Sequence, residues 1–439
     1  MYSTATKRRM NGSCRIFAAM NTKTHSIIRE KSGALEHRIV IRQFGSRRPP
    51  QWQRKLVKIF DEMLTKVWQS MDEHGFHPDL PSSRSVGLLG GYLVTLALLG
   101  VVVPGPKIQG TVLADKTRIT YKCNGFSVLL ILLAGLAGGS YTGHFSPSII
   151  ADLGGELFVA TLILCFVFSI YLQTVGSLSG SQSTSLKSHV TGNVLHDWWY
   201  GVQLNPSLLG LDLKFFWIRA GMMGWLLIDL SIAAKMFQEQ GSLTLSMSLF
   251  QIFTLIYVLD YFWFEEYMTS TWDIIAENFG FMLVMGDLVW IPFTFSVQAW
   301  WLMTNRVQQT KVATAMNVLV FLIGYTVFRG SNKQKHIFKK NPKALIWGQP
   351  PQLVGGKLLV SGYWGIARHC NYLGDLLLAS SFSLPCGFTS MVPYFYPTYL
   401  LILLLWRERR DEARCREKYK EVWVEYCNKV PWRIFPGLY

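Results

Sequence analysis

The amino-acid sequence predicts an all-α, polytopic integral membrane protein with about ten transmembrane helices. Three observations carry that reading. Half of the 439 residues, 50%, are hydrophobic and only 16% are charged. The mean hydropathy is positive. The apolar residues gather into long runs separated by short polar islands, whereas a soluble chain of this length spreads them periodically and carries more surface charge.

Residues 1–80 form a separate piece, a basic N-terminal extension. Its first sixty residues hold fourteen Lys and Arg against two acids, Glu30 and Glu36. That composition suits a disordered arm or an organelle transit peptide. Within it, Leu56, Ile59, Phe60, Leu64 and Val67 recur at helical spacing between Gln53 and Glu73, which predicts an interfacial amphipathic helix. The remaining domain, residues 81–439, divides into halves at about residue 310. Windows of span length run from Val86 to Val103, Phe126 to Gly139, Leu157 to Val175, Phe215 to Ala234, Leu245 to Phe264, and Phe279 to Met303 in the first half. Val312 to Phe328, Leu373 to Phe388 and Pro393 to Trp406 follow in the second.

The formal net charge of +16 is concentrated at the two ends of the chain, as expected of membrane-proximal surfaces, and disfavours a nucleic-acid reading when spans are present. Lys333, Lys335, Lys339, Lys340 and Lys343 precede the last apolar hairpin, and Arg407 to Lys429 follows it. Both islands therefore meet on one face, the cytosolic one. The seven cysteines contain no C-x-x-C pair, which indicates neither a disulfide framework nor a zinc site.

Three polar constellations stand beside these spans. Gly192 to Pro206 contains His196, Asp197, Trp198 and Trp199 and would line a pocket mouth or form an interfacial aromatic belt; the His189 and His196 spacing is not that of a familiar metal site, and no metal is expected. Between Lys235 and Arg306 there is no cation, although Asp260, Glu265, Glu266, Asp273, Glu277 and Asp287 all fall there. Carboxylates without local counter-ions stay protonated when buried and become proton donors, unless the stretch is a solvated loop. The third constellation is Ser361 to Asp375, which includes Trp364 and Arg368-His369-Cys370-Asn371-Tyr372. With Lys335 and Lys339 four apart, the same spacing at Arg410 and Arg414, and Tyr419 and Tyr426 nearby, it forms a candidate site for an anionic cofactor; snorkelling to headgroups is the competing account of the charge. No G-x-G-x-x-G follows a strand, so a Rossmann module is unsupported.

These motifs resemble the integral-membrane sterol reductases, the family of the delta-14, delta-7 and C-24(28) sterol reductases and of the lamin B receptor's membrane domain. The likeness covers roughly Ser85 to Tyr439 and rests on the Gly192 to Pro206, Ser361 to Asp375 and Leu404 to Tyr419 blocks and on Val430 to Pro436. Runs such as Glu265 to Asp273 and Asn332 to Pro342 bring it nearest to the plant delta-14 type. The resemblance implies a sterol substrate within membrane lipid, NADPH as cofactor and residence in the endoplasmic reticulum. It implies a sterol-facing half at 81–310 and an NADPH-binding half at 311–439. The implied cofactor contacts are Lys335, Lys339, Leu359, Trp364, Asn371, Tyr372, Asp411, Cys415, Arg416, Glu417, Lys418, Tyr419 and Tyr426. Four positions depart from the family: Lys339, where some members have Arg; Cys370, where Pro or Phe is common; and Trp406 and Lys420, where His or Arg and Gly are usual.

An unactivated alkene offers hydride no electron-poor carbon, so an acid must act first. Proton transfer to carbon 15 leaves a cation at carbon 14, which then takes hydride. The candidates for that acid or its relay are Glu266, Tyr267 and Asp287, with Tyr261 and Asp273 behind them. Reduction at the delta-7 position, a membrane methyltransferase, a non-enzymatic lamin B receptor-like protein and a transporter are the competing readings. The last is disfavoured by the lack of an evident inverted repeat.

Overall fold

The computed structural model describes residues 79–112, 118–179, 191–208 and 210–439, together with Lys58, Asp61, Glu62, Thr65 and Lys66. The chain divides into two units, Met1–Glu62 and Met63–Tyr439. In the first, Lys58, Asp61 and Glu62 are helical, and Lys58 Nζ lies 3.9 Å from Glu62 Oε1. The rest of the basic arm, and with it most of the expected amphipathic helix, lies outside the described residues.

The second unit is mostly helical, with short two-stranded antiparallel pairs between helices. Its principal helices are α1 Ser83–Val102, α2 Gly125–Tyr141, α3 Gly154–Ser179, α4 Val194–Tyr200, α5 Leu213–Gln240 and α6 Leu245–Trp263. They continue with α7 Phe281–Met285, α8 Val297–Asn305, α9 Lys311–Lys340, α10 Cys370–Ser383, α11 Phe395–Tyr419 and α12 Glu421–Lys429. Local chemistry sets several starts. Asp212 caps α5 by accepting from Phe215 N at 2.8 Å, Thr244 caps α6 through Met247 N at 3.1 Å, and Thr310 caps α9 through Ala313 N at 3.2 Å. Gly241, at φ 73°, ends α5 in the left-handed conformation that only glycine adopts cheaply. Between α7 and α8, Gly286–Thr294 winds as a π-helix around Pro292, which lacks the N–H a regular turn needs.

Among the described residues, six helices are long and apolar enough to cross a membrane: Ser83–Val102, Gly154–Leu178, Leu213–Gln240, Leu245–Trp263, Phe281–Asn305 and Lys311–Lys340. The sequence predicted about ten. The difference lies in short elements: α2 has 17 residues, about 26 Å of helix, and α10 has 14. α11 has 25, but from Arg407 onward it is charged. On the outside, α1 leaves Val94, Leu98 and Val102 between 59% and 74% exposed, an apolar surface suited to lipid rather than water. The protein is a multi-pass helical membrane protein.

Interior contacts between helices rely on small residues and buried ion pairs. A Cβ built on Gly374 of α10 would lie 2.7 Å from Phe328 Cα on α9, and one on Gly324 of α9 would lie 3.0 Å from Leu378 N on α10. Glycine at both points lets the two backbones approach closely. Arg219 on α5 donates Nε to Glu265 Oε1 at 2.6 Å and Nη1 to Asn124 Oδ1 at 3.0 Å, while Gly125 N donates to Glu265 Oε2 at 3.0 Å. This satisfied charge pair joins α2, α5 and the end of α6.

Candidate functional site

A cavity of about 780 Å³ lies where the C-terminal end of α6, the C-terminal half of α9, the start of α10 and the charged half of α11 converge. Its size falls within the roughly 300–1,000 Å³ range of small-molecule sites. Helical periodicity supplies two of its walls. Arg329, Asn332, Lys335, His336 and Lys339 recur at helical spacing along α9, and Arg407, Asp411, Arg414, Cys415 and Lys418 do so along α11.

The Ser361 to Asp375 stretch closes a third side, and its glycine has a local cause. Gly362 sits at φ 65°, where a Cβ would meet the Gln334 amide, and Gln334 Oε1 accepts from Tyr363 N at 3.0 Å. That turn delivers Trp364 to the wall. Its indole donates to Ser331 O at 2.9 Å, and Lys335 Nζ lies 4.4 Å from the centre of its ring. The ammonium is thus held against an aromatic face with its donors available to a ligand. Asn371 and Tyr372 follow on the first turn of α10, with His369 stacked on Tyr372 at 4.8 Å. Asn371 Oδ1 is buried and has no hydrogen-bond partner in the protein. Burial, then the charges of Lys335, Arg368 and Arg433, push the His369 imidazole down to about 3, so it is neutral. Cys370 opens α10 inside a small apolar cluster with Ile346, Leu359, Trp364 and Ala367. It is a packing residue behind Trp364.

Residues 264–277 form the remaining side, and here one expectation is overturned. Five of the acids of the cation-free window, Asp260, Glu265, Glu266, Asp273 and Glu277, do have partners, supplied by distant elements. Arg329 of α9 pairs with Asp260, which also accepts from Tyr325 OH at 2.7 Å. Arg407 and Arg410 of α11 lie 2.9 Å from Asp273 and 2.9 Å from Glu277, and Glu266 lies 3.8 Å from His336 and 4.0 Å from Lys340. A sequence window cannot display counter-ions that arrive through tertiary folding. The segment is braced from below by Lys214, whose buried ammonium donates to Asp273 O and Glu277 O, each at 2.6 Å. Across the cavity mouth, Arg414 lies 4.6 Å from the centre of the Trp272 ring, and Arg410 lies 4.6 Å from that of Trp406. The departure at Trp406 therefore carries a contact of its own.

Of the residues expected to hold a cofactor, Lys335, Lys339, Leu359, Trp364, Asn371, Tyr372, Asp411, Cys415, Lys418, Tyr419 and Tyr426 all line the cavity. Arg416 and Glu417 do not: they are exposed on the far side of α11, where Arg416 pairs with Glu412 at 3.5 Å. Consecutive residues of a helix point about 100° apart, so a contiguous block cannot face one cavity. Of the acid candidates, Tyr267 lines the cavity and stacks on His336 at 4.2 Å. Glu266 and Asp287 are not on the wall; Asp287 is buried in the π-helical segment with its Oδ2 unpartnered. The Gly192 to Pro206 block does not reach the cavity either. Trp198 donates to Ser169 Oγ at 2.9 Å and stacks on Phe281 at 4.4 Å, an interior role, while His189 lies outside the described residues. Sequence reasoning missed Tyr257, Asn332, His336 and Trp272 as lining residues. The helical stripe through Lys335 and Lys339 would have found Asn332 and His336; the others come from chain crossings that no spacing encodes.

Fold and cavity together define a multi-pass helical membrane protein with a cation-rimmed, aromatic-walled pocket of ligand size at one end of its bundle. Comparison with known proteins adds the lineage. The model of the ergosterol biosynthesis ERG4/ERG24 family matches residues 44–439, and the chain belongs to that family, as its motifs indicated. It is 62% identical to a Delta(14)-sterol reductase of Arabidopsis thaliana over 82% of this chain and 97% of the relative. It is 42% identical to a Delta(14)-sterol reductase of Methylotuvimicrobium alcaliphilum over 83% of this chain and 85% of the relative. It is 39% identical to the Delta(14)-sterol reductase erg24 of Schizosaccharomyces pombe over 79% of this chain and 82% of the relative.

Proposed function

We propose that this chain reduces the carbon 14–15 double bond of a sterol intermediate, using NADPH held in the cavity. The observation that carries the reading is the 62% identity to a Delta(14)-sterol reductase across 97% of that relative, joined to a pocket whose side chains suit a dinucleotide. Lys335, Lys339, Arg414 and Lys418 bring cations for phosphates, while Trp364, Tyr372, Tyr419 and Tyr426 bring planar faces. The unpartnered Asn371 Oδ1 suits an amide N–H of the bound group. NADPH, when bound, supplies hydride to the cationic carbon that follows alkene protonation.

The chain's own task is the proton. Of the three acid candidates, Tyr267 is favoured because it is on the cavity wall. Burial, then the Glu266 charge, raise its hydroxyl above the ordinary value and keep it protonated. Arg329, 5.7 Å from its ring centre, would stabilise the phenolate left after transfer. Glu266 is the adjacent group for reprotonation, with Asp287 a more distant reserve. In this reading residues 81–310 present the sterol and residues 311–439 hold the nucleotide. α2, α10 and the apolar half of α11 add short crossings that bring the total towards ten, in the membrane of the endoplasmic reticulum, with lipid as the surrounding partner.

The test is expression in a yeast strain lacking delta-14 sterol reductase, followed by sterol profiling. Loss of the 14-unsaturated intermediate is expected. Its persistence alongside confirmed expression would overturn the assignment, and loss of a 7-unsaturated sterol instead would transfer it to the delta-7 reaction.

A further inference from the structure

Behind the cavity wall lies a charge cluster that the proposed reaction does not use; of its members Arg368 also lines the cavity, and Glu408, Glu412 and Arg433 do not. Glu408 and Glu412 are one turn apart on α11, with only 1% and 8% of their surfaces exposed. Two arginines from other segments meet them. Arg433 Nη2 lies 3.0 Å from Glu412 Oε2 and its Nη1 3.5 Å from Glu408 Oε1, while Arg368 Nη1 lies 3.6 Å from Glu412 Oε1. Tyr439 donates its hydroxyl to Glu408 Oε2 at 3.2 Å and lies within 3.4 Å of Arg433 Nη1.

The cluster is connected to the wall by main chain. Arg368 N donates to Trp432 O at 3.0 Å and His369 N to Arg433 O at 2.8 Å, so residues 432–433 run alongside 368–369. Arg368 Nη2 donates to Pro431 O at 3.1 Å. Three residues after Arg368, Asn371 and then Tyr372 enter the cavity; Asp411 enters it from the α11 turn between the two glutamates. The four charges thus fix α11 against the start of α10, the two elements that present Asp411 and Asn371. Arg416, on the exposed side of α11, adds a third arginine to the pair, 3.5 Å from Glu412.

We propose that Arg433 and Arg368, by bracketing the Glu408–Glu412 pair, are positioning residues that set the width of the nucleotide pocket between α11 and the Asn371–Tyr372 turn. The inference rests on the reading of the cavity as a nicotinamide dinucleotide site. On the cavity side α11 is tied to residues 273–277 through Arg407 and Arg410, whereas Arg433 and Arg368 are what join it to the 368–369 turn. Loss of one bracket would let a wall shift by a fraction of an ångström to an ångström, which raises ligand KM by about ten- to a hundredfold when the contacts are geometric.

The experiment uses the full chain in detergent or native membranes, with NADPH as the probe, comparing wild type, Arg433→Gln, Arg433→Lys and Tyr439→Phe. Arg433→Gln should raise KM and Kd for NADPH by about tenfold or more while kcat at saturation stays within about twofold. Arg433→Lys keeps the charge without the two-pronged grip and should recover part of the loss. Tyr439→Phe removes only a hydroxyl, folds if any variant does, and should raise KM about threefold, the value of one hydrogen bond. A purely structural cluster would lower the amount of active protein and leave KM unchanged; that result in Arg433→Gln or Tyr439→Phe overturns the proposal while the cofactor reading stands. If the wild type binds no NADPH, the cofactor reading fails and the proposal with it.

Discussion

Replacing Gly374 by alanine tests the close crossing of α9 and α10 on which the cavity geometry depends. The new Cβ would stand 2.7 Å from Phe328 Cα, and closer still to Phe328 N, where ordinary contact begins at 3.4 Å. Both atoms are backbone, so no rotamer change relieves the overlap, and the helices must separate by about 0.7 Å or more. Overpacking of this kind costs about 1–3 kcal/mol, and the gain in helix propensity on leaving glycine returns up to about 1 kcal/mol. The net effect on stability is therefore small, about 0–2 kcal/mol. The effect on turnover is larger, because α9 carries Lys335 and Lys339 and α10 carries Asn371 and Tyr372. A displacement near 1 Å between facing contacts costs on the order of a hundredfold in kcat/KM. Sterol turnover per unit of folded protein, quantified by size-exclusion chromatography, is the assay. Gly90→Ala on α1, where nothing lies within 4 Å, is the control and should match wild type. Wild-type turnover by Gly374→Ala would show that the crossing does not set the cavity.

The pH dependence of stability should carry a signature of His369. Its folded pKa is depressed from 6.5 to about 3, so its stabilising contribution is complete above pH 6.5 and is lost as pH falls towards 3, by up to about 1.4 kcal/mol per pH unit. Melting temperature between pH 7 and pH 4 should fall less steeply in His369→Asn than in wild type, and parallel curves would refute the assignment. Lys420, between α11 and α12, has φ 50° and ψ −118°, a region that costs residues with a Cβ about 1–3 kcal/mol. Lys420→Gly should raise stability by about 1 kcal/mol after the added unfolded-chain entropy is subtracted, and a lower melting temperature would contradict that reasoning.

That same residue shows how far the sequence could be read. The departure from glycine at position 420 is visible by family resemblance, but its cost appears only once the φ angle is known. The apolar windows Val86 to Val103, Phe215 to Ala234 and Val312 to Phe328 each overlap a helix long and apolar enough to cross a membrane, because hydrophobic length is a local property. The runs at 373–388 and 393–406 read the same way yet form a 14-residue helix and the apolar start of a helix that continues into charge. Aromatic and cationic cofactor candidates were legible because helix spacing and family motifs agree on them. The acidic stretch from Asp260 to Asp287 was visible in the sequence, but the arginine partners of Asp260, Asp273 and Glu277 come from α9 and α11, and proximity of that kind is written in the fold rather than in the spacing. Cys370, conspicuous as a departure, proves to be an interior packing residue.

The pairing of early acids with late arginines also bears on biosynthesis. Asp273 and its partner Arg407 are 134 residues apart. At about 5–20 residues per second, synthesis of that interval takes roughly 7 to 27 s. During that time Asp273 and Glu277 are in place on a half-inserted bundle with their arginine counter-ions still to be made. The nascent chain then carries these two carboxylates without their arginine partners, with Lys214 as the cation already in place beside them, a state that the arrival of α11 ends.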